Sequence, residues 1–364
     1  MRLVPSGVQA ADPRRAGRPV RVLASATALV AGLIVVAGCG FLGGSSTPAP
    51  PAVKADITVA ATPNVGDAPL FMAAQQQFFR NAGVNVHIVN YTSTRTELRD
   101  LRAGKVDVAY GDYADMFYAQ AQALNLAKGN SAKSSLNMVV VADGYDAVQN
   151  TMEVLAMPKS GIVNPKNLVG KTVGTAPSEV MPPSTQGAPY NMDTVATQSV
   201  LKNANVDVQG ITWKALPSQG LLNDLATGRV NAILATEPTI FDAESQLGAV
   251  PVVDSLTGAT ANLPLFGYFS LRSFADKNHA GLVAFRSALD KAQAEAGASA
   301  SAVRNTLEGS EGMSVQDASL LTIGQYPTTV NASDLQRVVS LMFSLGVIPG
   351  IQGNQLAVQG MIFR

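Results

Sequence analysis

Two histidines and one cysteine are all that this 364-residue chain offers for imidazole or thiol chemistry. His87 alternates within a strand-like run and reads as a packed or surface residue. His279 stands early in a helical C-terminal stretch with no partner in the sequence. Cys39 lies directly behind a long apolar run, where a cleavage site would stand, and with it committed there no Cys–His nucleophile arrangement remains. Metal ligands at helical spacing and a Gly-rich phosphate loop are also missing, and no cofactor is expected. What remains is recognition chemistry. The carboxylates Asp67, Asp112 and Glu237 stand in or beside turn-forming clusters. Thr92-Ser93-Thr94 is a run of cap residues whose free backbone N–H groups would suit an anionic or carbonyl group. Tyr91, Tyr110, Tyr113 and Tyr190 could stack on a planar ring.

The elements that must position these residues alternate. Ile57–Thr62 is a short apolar strand closed by the turn-rich Asn64-Val65-Gly66-Asp67. Leu70, Ala73, Ala74, Gln77 and Phe78 recur at helical spacing, which predicts one helix over Pro69–Asn81, stopped by Gly83. A strand over Val84–Asn90, a helix over Thr92–Arg102 and a strand over Val106–Tyr110 follow. Further on, Thr151–Ala156 and Lys171–Thr175 read as strands, Tyr190–Asn203, Pro217–Thr227 and Glu237–Gln246 as helices, and Phe266–Leu271 as a returning strand. The rest is mainly helical, with caps expected at Ser273, Ser314 and Ser333. Strands alternating with helices predict α/β lobes with a largely parallel sheet. Leu98-Arg99-Asp100-Leu101-Arg102-Ala103-Gly104-Lys105-Val106-Asp107-Val108 is echoed by Leu222-Asn223-Asp224-Leu225-Ala226-Thr227-Gly228-Arg229-Val230-Asn231-Ala232, a spacing of 124 positions. A helix ending at a Gly suited to the left-handed cap, then a cation, then a Val-led strand, recurs at lobe-sized distance. Two duplicated lobes are the better account of it.

The N-terminus sets the compartment. Arg14, Arg15, Arg18 and Arg21 precede an uncharged fifteen-residue run, Val22–Val36. That is short of the about 20 residues a membrane-spanning helix needs, and suits a signal-peptide core. Val36-Ala37-Gly38-Cys39 resembles the lipobox of bacterial lipoproteins, which implies acylation and cleavage at Cys39. Residues 1–38 are therefore expected to be a lipoprotein signal peptide and 39–56, rich in Gly, Ser, Thr, Pro and Ala, a flexible tether. Without the prepiece the chain is mildly acidic, with 21 basic against 25 acidic residues. No basic stripe stands out, so nucleic acid is not an expected partner.

Several phrases resemble the SsuA/THI5-like (NMT1-type) solute-binding proteins of ABC transporters. They are Asp67-Ala68-Pro69-Leu70-Phe71-Met72-Ala73, Phe78-Phe79-Arg80-Asn81-Ala82-Gly83-Val84-Asn85-Val86, Leu101–Val108, Leu168-Val169-Gly170-Lys171-Thr172-Val173-Gly174 and Thr236-Glu237-Pro238. The resemblance implies a type II bilobal periplasmic-binding-protein-like fold, two α/β lobes joined by a hinge with ligand in the cleft. Lobe 1 would comprise 57–152 plus 265–364, and lobe 2 residues 153–264. It also implies a monomeric lipoprotein on the outer face of the cytoplasmic membrane that hands a small solute to an ABC permease. In open α/β sheets ligands bind beyond the carboxyl ends of the strands. That places Asn64, Gly66, Asp67, Thr92, Ser93, Thr94, Asp112, Tyr113, Tyr190 and Glu237 as the expected ligand-binding residues, with no catalytic residue and no metal. Asp67, Asp112 and Glu237 would oppose a dianion unless Arg95 or another cation stood beside them. The expected ligand is accordingly a nitrogenous solute such as a thiamine-precursor pyrimidine, ahead of an alkyl sulfonate or nitrate-like anion. A ligand-sensing lipoprotein is the alternative, and a pyrimidine-synthesis-type enzyme of the same fold a weaker one.

Overall fold

The computed structural model describes residues 55–61, 64–126, 136–183, 190–311, 315–348 and 356–364. Cys39, the expected signal peptide, most of the expected tether and the expected cap at Ser314 lie outside them. The chain from Ala49 to Arg364 forms one compact unit.

The first half runs β1 (Ala55–Ala61), α1 (Ala68–Gln75), α2 (Phe78–Asn81), β2 (Val84–Asn90), α3 (Thr94–Arg102), β3 (Val108–Asp112), α4 (Tyr113–Leu126) and β4 (Met138–Asp146). Next come β5 (Met152–Ala156), β6 (Thr172–Thr175), α5 (Met192–Asn203), β7 (Thr212–Ala215), α6 (Ser218–Ala226), β8 (Ala232–Thr236), α7 (Thr239–Leu247) and β9 (Val250–Asp254). The chain then returns through β10 (Pro264–Leu271) and closes with α8 (Arg272–Lys277), α9 (His279–Ala298), α10 (Ala300–Glu311), α11 (Val315–Leu320) and α12 (Ala332–Ser344).

These strands build two five-stranded sheets, ordered β2-β1-β3-β10-β4 and β7-β6-β8-β5-β9. In the first, β1 is parallel to β2 and β3, and β10 is antiparallel to β3 and β4. In the second, β6 is parallel to β7 and β8, and β5 is antiparallel to β8 and β9. The two sheets have the same order and polarity; the first takes its fourth strand, β10, from beyond the second sheet, whereas the second is built from the consecutive strands β5–β9. The repeated phrase falls on α3–β3 and α6–β8, and it carries the same hydrogen bonds twice. Thr58 N–H donates to the Asp107 carboxylate (2.8 Å), and Asp107 N–H donates back to Thr58 O (2.8 Å). Thr172 N–H donates to the Asn231 side chain (2.9 Å), and Asn231 N–H donates back to Thr172 O (2.8 Å). Asp100 binds Lys105 (3.3 Å) and Asp224 binds Arg229 (3.1 Å) at the same offset. Gly104 and Gly228, at φ 66° and 71°, supply the left-handed turn between helix and strand.

Strand alternation decides the packing. Val154 and Leu234 join the large core while Leu155, Ile233 and Ala235 face the opposite way into a second cluster with Leu221, Leu225 and Ile240. Central strands covered on both faces need near-continuous apolar runs, as β8 has from Ala232 to Ala235. Helix α9 packs on α1, α2 and β1, and α12 lies against both α4 and α5.

The structure differs from the sequence reading at definite points. Ala55 and Asp56, assigned to the tether, pair with Val84 and Asn85 in the sheet. The single helix expected over Pro69–Asn81 is broken at Gln77, whose φ is 60°. The break turns Phe79 into the core, stacked on Phe285 at 5.1 Å, a burial that offsets the strained backbone. Strand β3 runs to Asp112, two residues past the expected end. Ser273 and Ser333 lie inside their helices, and Asn331 caps α12. His279 has partners after all, the Arg364 carbonyl at 2.8 Å and the Phe363 ring.

Candidate functional site

A cavity of about 200 Å³ lies beyond the carboxyl ends of β1, β3 and β8, where the two sheets face each other. The first sheet's side contributes Asn64, Val65, Gly66, Asp112, Tyr145, Leu265 and Phe266, and the second contributes Thr151, Asn191, Asp193, Thr236 and Glu237. The volume is below the usual range for drug-sized ligands and suits a compact solute.

Each wall has a local reason. Asn64 closes a tight turn: its side chain accepts from Gly66 N–H (2.7 Å), and Asp67 accepts from Asn64 N–H (3.2 Å). A Cβ on Gly66 would lie 2.2 Å from the Tyr110 hydroxyl, so the close approach here requires glycine. Asp112 ends β3 and caps α4, accepting from Ala114 N–H (2.6 Å) and Asp115 N–H (3.1 Å). Asn191 caps α5 through Thr194 N–H (2.9 Å) and donates to Ala176 O (2.8 Å). Glu237 accepts from Phe241 N–H (3.2 Å) in α7 and from Thr322 N–H (3.3 Å). Tyr145 is fixed by Gly324 N–H donating to its hydroxyl (2.7 Å), and Phe266 stacks on Tyr110 at 5.4 Å.

The acids of this region are harder to ionise than free carboxyls. Burial pushes Asp112 well above the usual range, and the Asp115 and Asp193 charges add to it. Burial raises Asp193 to about 6 and Asp115 to about 6, the latter eased by the Ser178 hydrogen bond. Glu237 is raised by burial against the pull of its two N–H donors.

Of the residues expected from sequence, Asn64, Gly66, Asp112 and Glu237 line the cavity. Asp67 is fully buried in its turn. Tyr113 lies in the core with its hydroxyl donating to Asp143 (2.9 Å). Tyr190 reaches the Leu345 carbonyl (3.5 Å). Thr92 is exposed, Ser93 caps α3 and Thr94 opens that helix, and none of the three lines the cavity. Ser93 and Arg95 instead bridge to the second half of the chain. The Ser93 hydroxyl donates to the Glu179 carboxylate, and Arg95 Nε donates to the Glu179 carbonyl (2.7 Å). Ser178 donates to Asp115 across the same divide (2.8 Å). Arg95 is therefore engaged away from the cavity. Tyr145, Thr151, Asp193, Leu265 and Phe266 were missed. The signal that could have found Asp193 is its place two residues after the Asn191 cap, at the mouth of a helix following a strand.

Among the described residues no group of His, Cys, Asp and Glu is arranged to hold a metal ion, and no helix is long and apolar enough to cross a membrane.

The model of the NMT1-like family matches residues 50–303, more than half of the chain. The chain belongs to the NMT1-like family. No curated protein matches it by sequence. Among solved structures, the NMT1-like protein is similar to the periplasmic aliphatic sulphonate binding protein SsuA from Escherichia coli. The TM-score is 0.64 at 17% identity, covering 85% of this chain and 97% of that one. The alkanesulfonate-binding protein SsuA from Xanthomonas axonopodis pv. citri, bound to MOPS, matches with TM-score 0.62 at 16% identity over 87% and 99% of the two chains. The periplasmic nitrate-binding protein NrtA from Synechocystis PCC 6803 matches with TM-score 0.60 at 13% identity over 83% of each. The NMT1-like protein thus has the bilobal periplasmic-binding-protein fold that its motifs imply.

Proposed function

We propose that the protein is the extracytoplasmic solute-binding component of an ABC importer, working as a monomer held at the outer face of the cytoplasmic membrane by acylated Cys39. It would present its ligand to the permease and catalyse no reaction. The observation that carries this reading is the cavity itself: its walls come from both sheets, so a solute there touches both lobes together. Contacts made by both lobes exist in full when the lobes are together, and a solute making them shifts the population toward that state. In this reading the chain passes between the lobes in the segments that join β4 to β5 and β9 to β10. Solute-binding relatives of the same fold, named for sulfonates and nitrate, support the transport role. The ligand is a small organic solute, and a nitrogenous compound such as a thiamine-precursor pyrimidine suits the aromatic and acceptor-rich walls better than an alkyl sulfonate.

The test is a thermal-shift screen of the purified protein against pyrimidines, sulfonates, nitrate and amino acids, followed by small-angle scattering on any hit. A bound solute stabilises the folded state by mass action and should also lower the radius of gyration. Asp112→Ala and Glu237→Ala should each weaken the hit without unfolding the protein. A panel in which nothing stabilises or compacts the protein refutes the reading.

A further inference from the structure

We propose that the cavity selects a small organic cation bearing N–H donors, with Asp193 as its counter-ion. This rests on the solute-binding reading and names the ligand class for the same site. In this architecture an oxyanion would be bound by helix N-termini at the strand ends, where backbone N–H groups and the helix dipole converge. Here each of the three helix N-termini at the cavity already has an acid of the protein's own. Asp112 accepts two N–H groups at the start of α4, Glu237 accepts Phe241 N–H at the start of α7, and Asp193 is the acid in the first turn of α5. Two of these places are filled by carboxylates, and at the third the Asn191 side chain takes Thr194 N–H while the Asp193 charge opposes an external anion.

The remaining polar groups point the same way. Asn191 gives its amide N–H to Ala176 O (2.8 Å), and the Thr151 hydroxyl donates to Val148 O (2.7 Å). These two side-chain donors are therefore directed to the protein's own backbone. None of the lining residues is Lys, Arg or His. The stretch 184–189, which leads into Asn191, contains no cationic residue in its sequence. The fully desolvated alternative, an anion beside Asp112, Asp193 and Glu237, has no compensating charge.

Asp193 differs from its two neighbours. Asp112 and Glu237 are each held by two backbone N–H groups, whereas the Asp193 side chain accepts no hydrogen bond among the described residues while lining the cavity. Burial alone holds its pKa near 6, the condition of an acid awaiting a partner. One unpartnered carboxylate calls for one positive charge. Tyr145 and Phe266 add aromatic surface, which favours a cation over an anion.

The experiment is calorimetric titration of the whole protein with matched series: methylammonium, acetamidinium and benzamidinium chlorides, the neutral amides acetamide and benzamide, and methanesulfonate and benzenesulfonate. At least one cation should bind at least tenfold more tightly than its neutral and sulfonate counterparts. Asp193→Asn should reduce that cation's affinity at least tenfold and leave the amides unchanged. Far-ultraviolet circular dichroism of the variant establishes that it is folded. An amide or sulfonate that binds as well as its cation overturns the ligand class but leaves solute binding intact, as does an undiminished cation affinity in Asp193→Asn. Failure of every cation also overturns it. If the broader solute screen is silent as well, the solute-binding reading falls with it.

Discussion

Asp193 lies in a conflict between stability and binding, and that conflict has a size. Its pKa near 6 is above the about 3.9 of a free aspartate, which corresponds to about 3 kcal/mol at full burial. The part of the side chain that faces the cavity keeps some hydration, so about 2 kcal/mol is a better figure. Above pH 6 the carboxyl is ionised in both folded and unfolded chains, and the folded state bears the whole penalty. As pH falls from about 6 to about 4 the folded chain takes up the proton first, and the penalty disappears. Asp193→Asn removes the penalty at neutral pH and also removes a favourable first-turn anion of α5 worth about 0.5 kcal/mol. The net gain is about 1.5 kcal/mol. With an unfolding entropy of about 2.1 cal/mol/K per residue over roughly 300 residues, the midpoint should rise by about 2 °C. Differential scanning calorimetry of ligand-free wild type and variant at pH 7.5 and pH 5.0 measures it. The variant should melt higher at pH 7.5, and the gap should narrow to about half or less at pH 5.0. The other raised acids, Asp115, Asp146 and Glu153 among them, are common to both proteins and drop out of the difference. A variant that melts at or below wild type at pH 7.5, or a gap indifferent to pH, refutes the reasoning.

Other positions give sharper structural tests. Gly281→Ala would set a Cβ 2.5 Å from the Ala55 Cβ, where α9 crosses β1. Both atoms are fixed by backbone, so urea denaturation should show a loss of about 1–3 kcal/mol. Gly228→Ala forces a side chain onto a φ of 71° with open space around it, and should cost about 1–2 kcal/mol by the same measurement from backbone strain alone. Arg95→Ala removes the bridge to the Glu179 carbonyl and should raise the ligand-free radius of gyration in small-angle scattering without lowering the melting midpoint by more than about 1 °C.

How much of this was legible in the sequence depends on whether the information was local. The helix–Gly–cation–strand phrase could be read because its parts are near neighbours, and the structure shows the same bonds repeated in it. The opening turn could be read for the same reason: Asn64, Gly66 and Asp67 satisfy one another within four residues. The break at Gln77 could not, because it is imposed by Phe285, which lies more than 200 positions away. The long-range walls of the cavity were equally hidden. Tyr145 and Phe266 meet there through the pairing of β4 with β10, a relation between strands on opposite sides of the second sheet. Tyr113 looked available for stacking, yet it is the first residue of a helix whose buried face it occupies. A strand ending at Tyr110 leaves Tyr113 in a loop; two more residues of strand carry it to the start of α4 and into the core.

The two halves repeat their frame and diverge in their loops, and the division falls where function would require it. Thr58–Asp107 and Thr172–Asn231 hold equivalent strand pairs, and Asp100 and Asp224 hold equivalent cations. In register with that repeat, Asp112 corresponds to Thr236 and Tyr113 to Glu237, so the acids are displaced by one position. In the first half the helix starts directly after the strand, and the strand's last residue caps it. In the second half Pro238 separates strand from helix, and the acid one residue later reaches Phe241 N–H instead. Different local geometry thus delivers a carboxylate to the same kind of place, the N-terminus of the helix that follows the third strand. A frame needing acceptors at helix starts could have used neutral Ser, Thr or Asn, as it does at Ser93 and Asn191. Charge is more than capping demands, and a charge beside a cavity that contains no opposite sign is an arrangement a positively charged solute would complete.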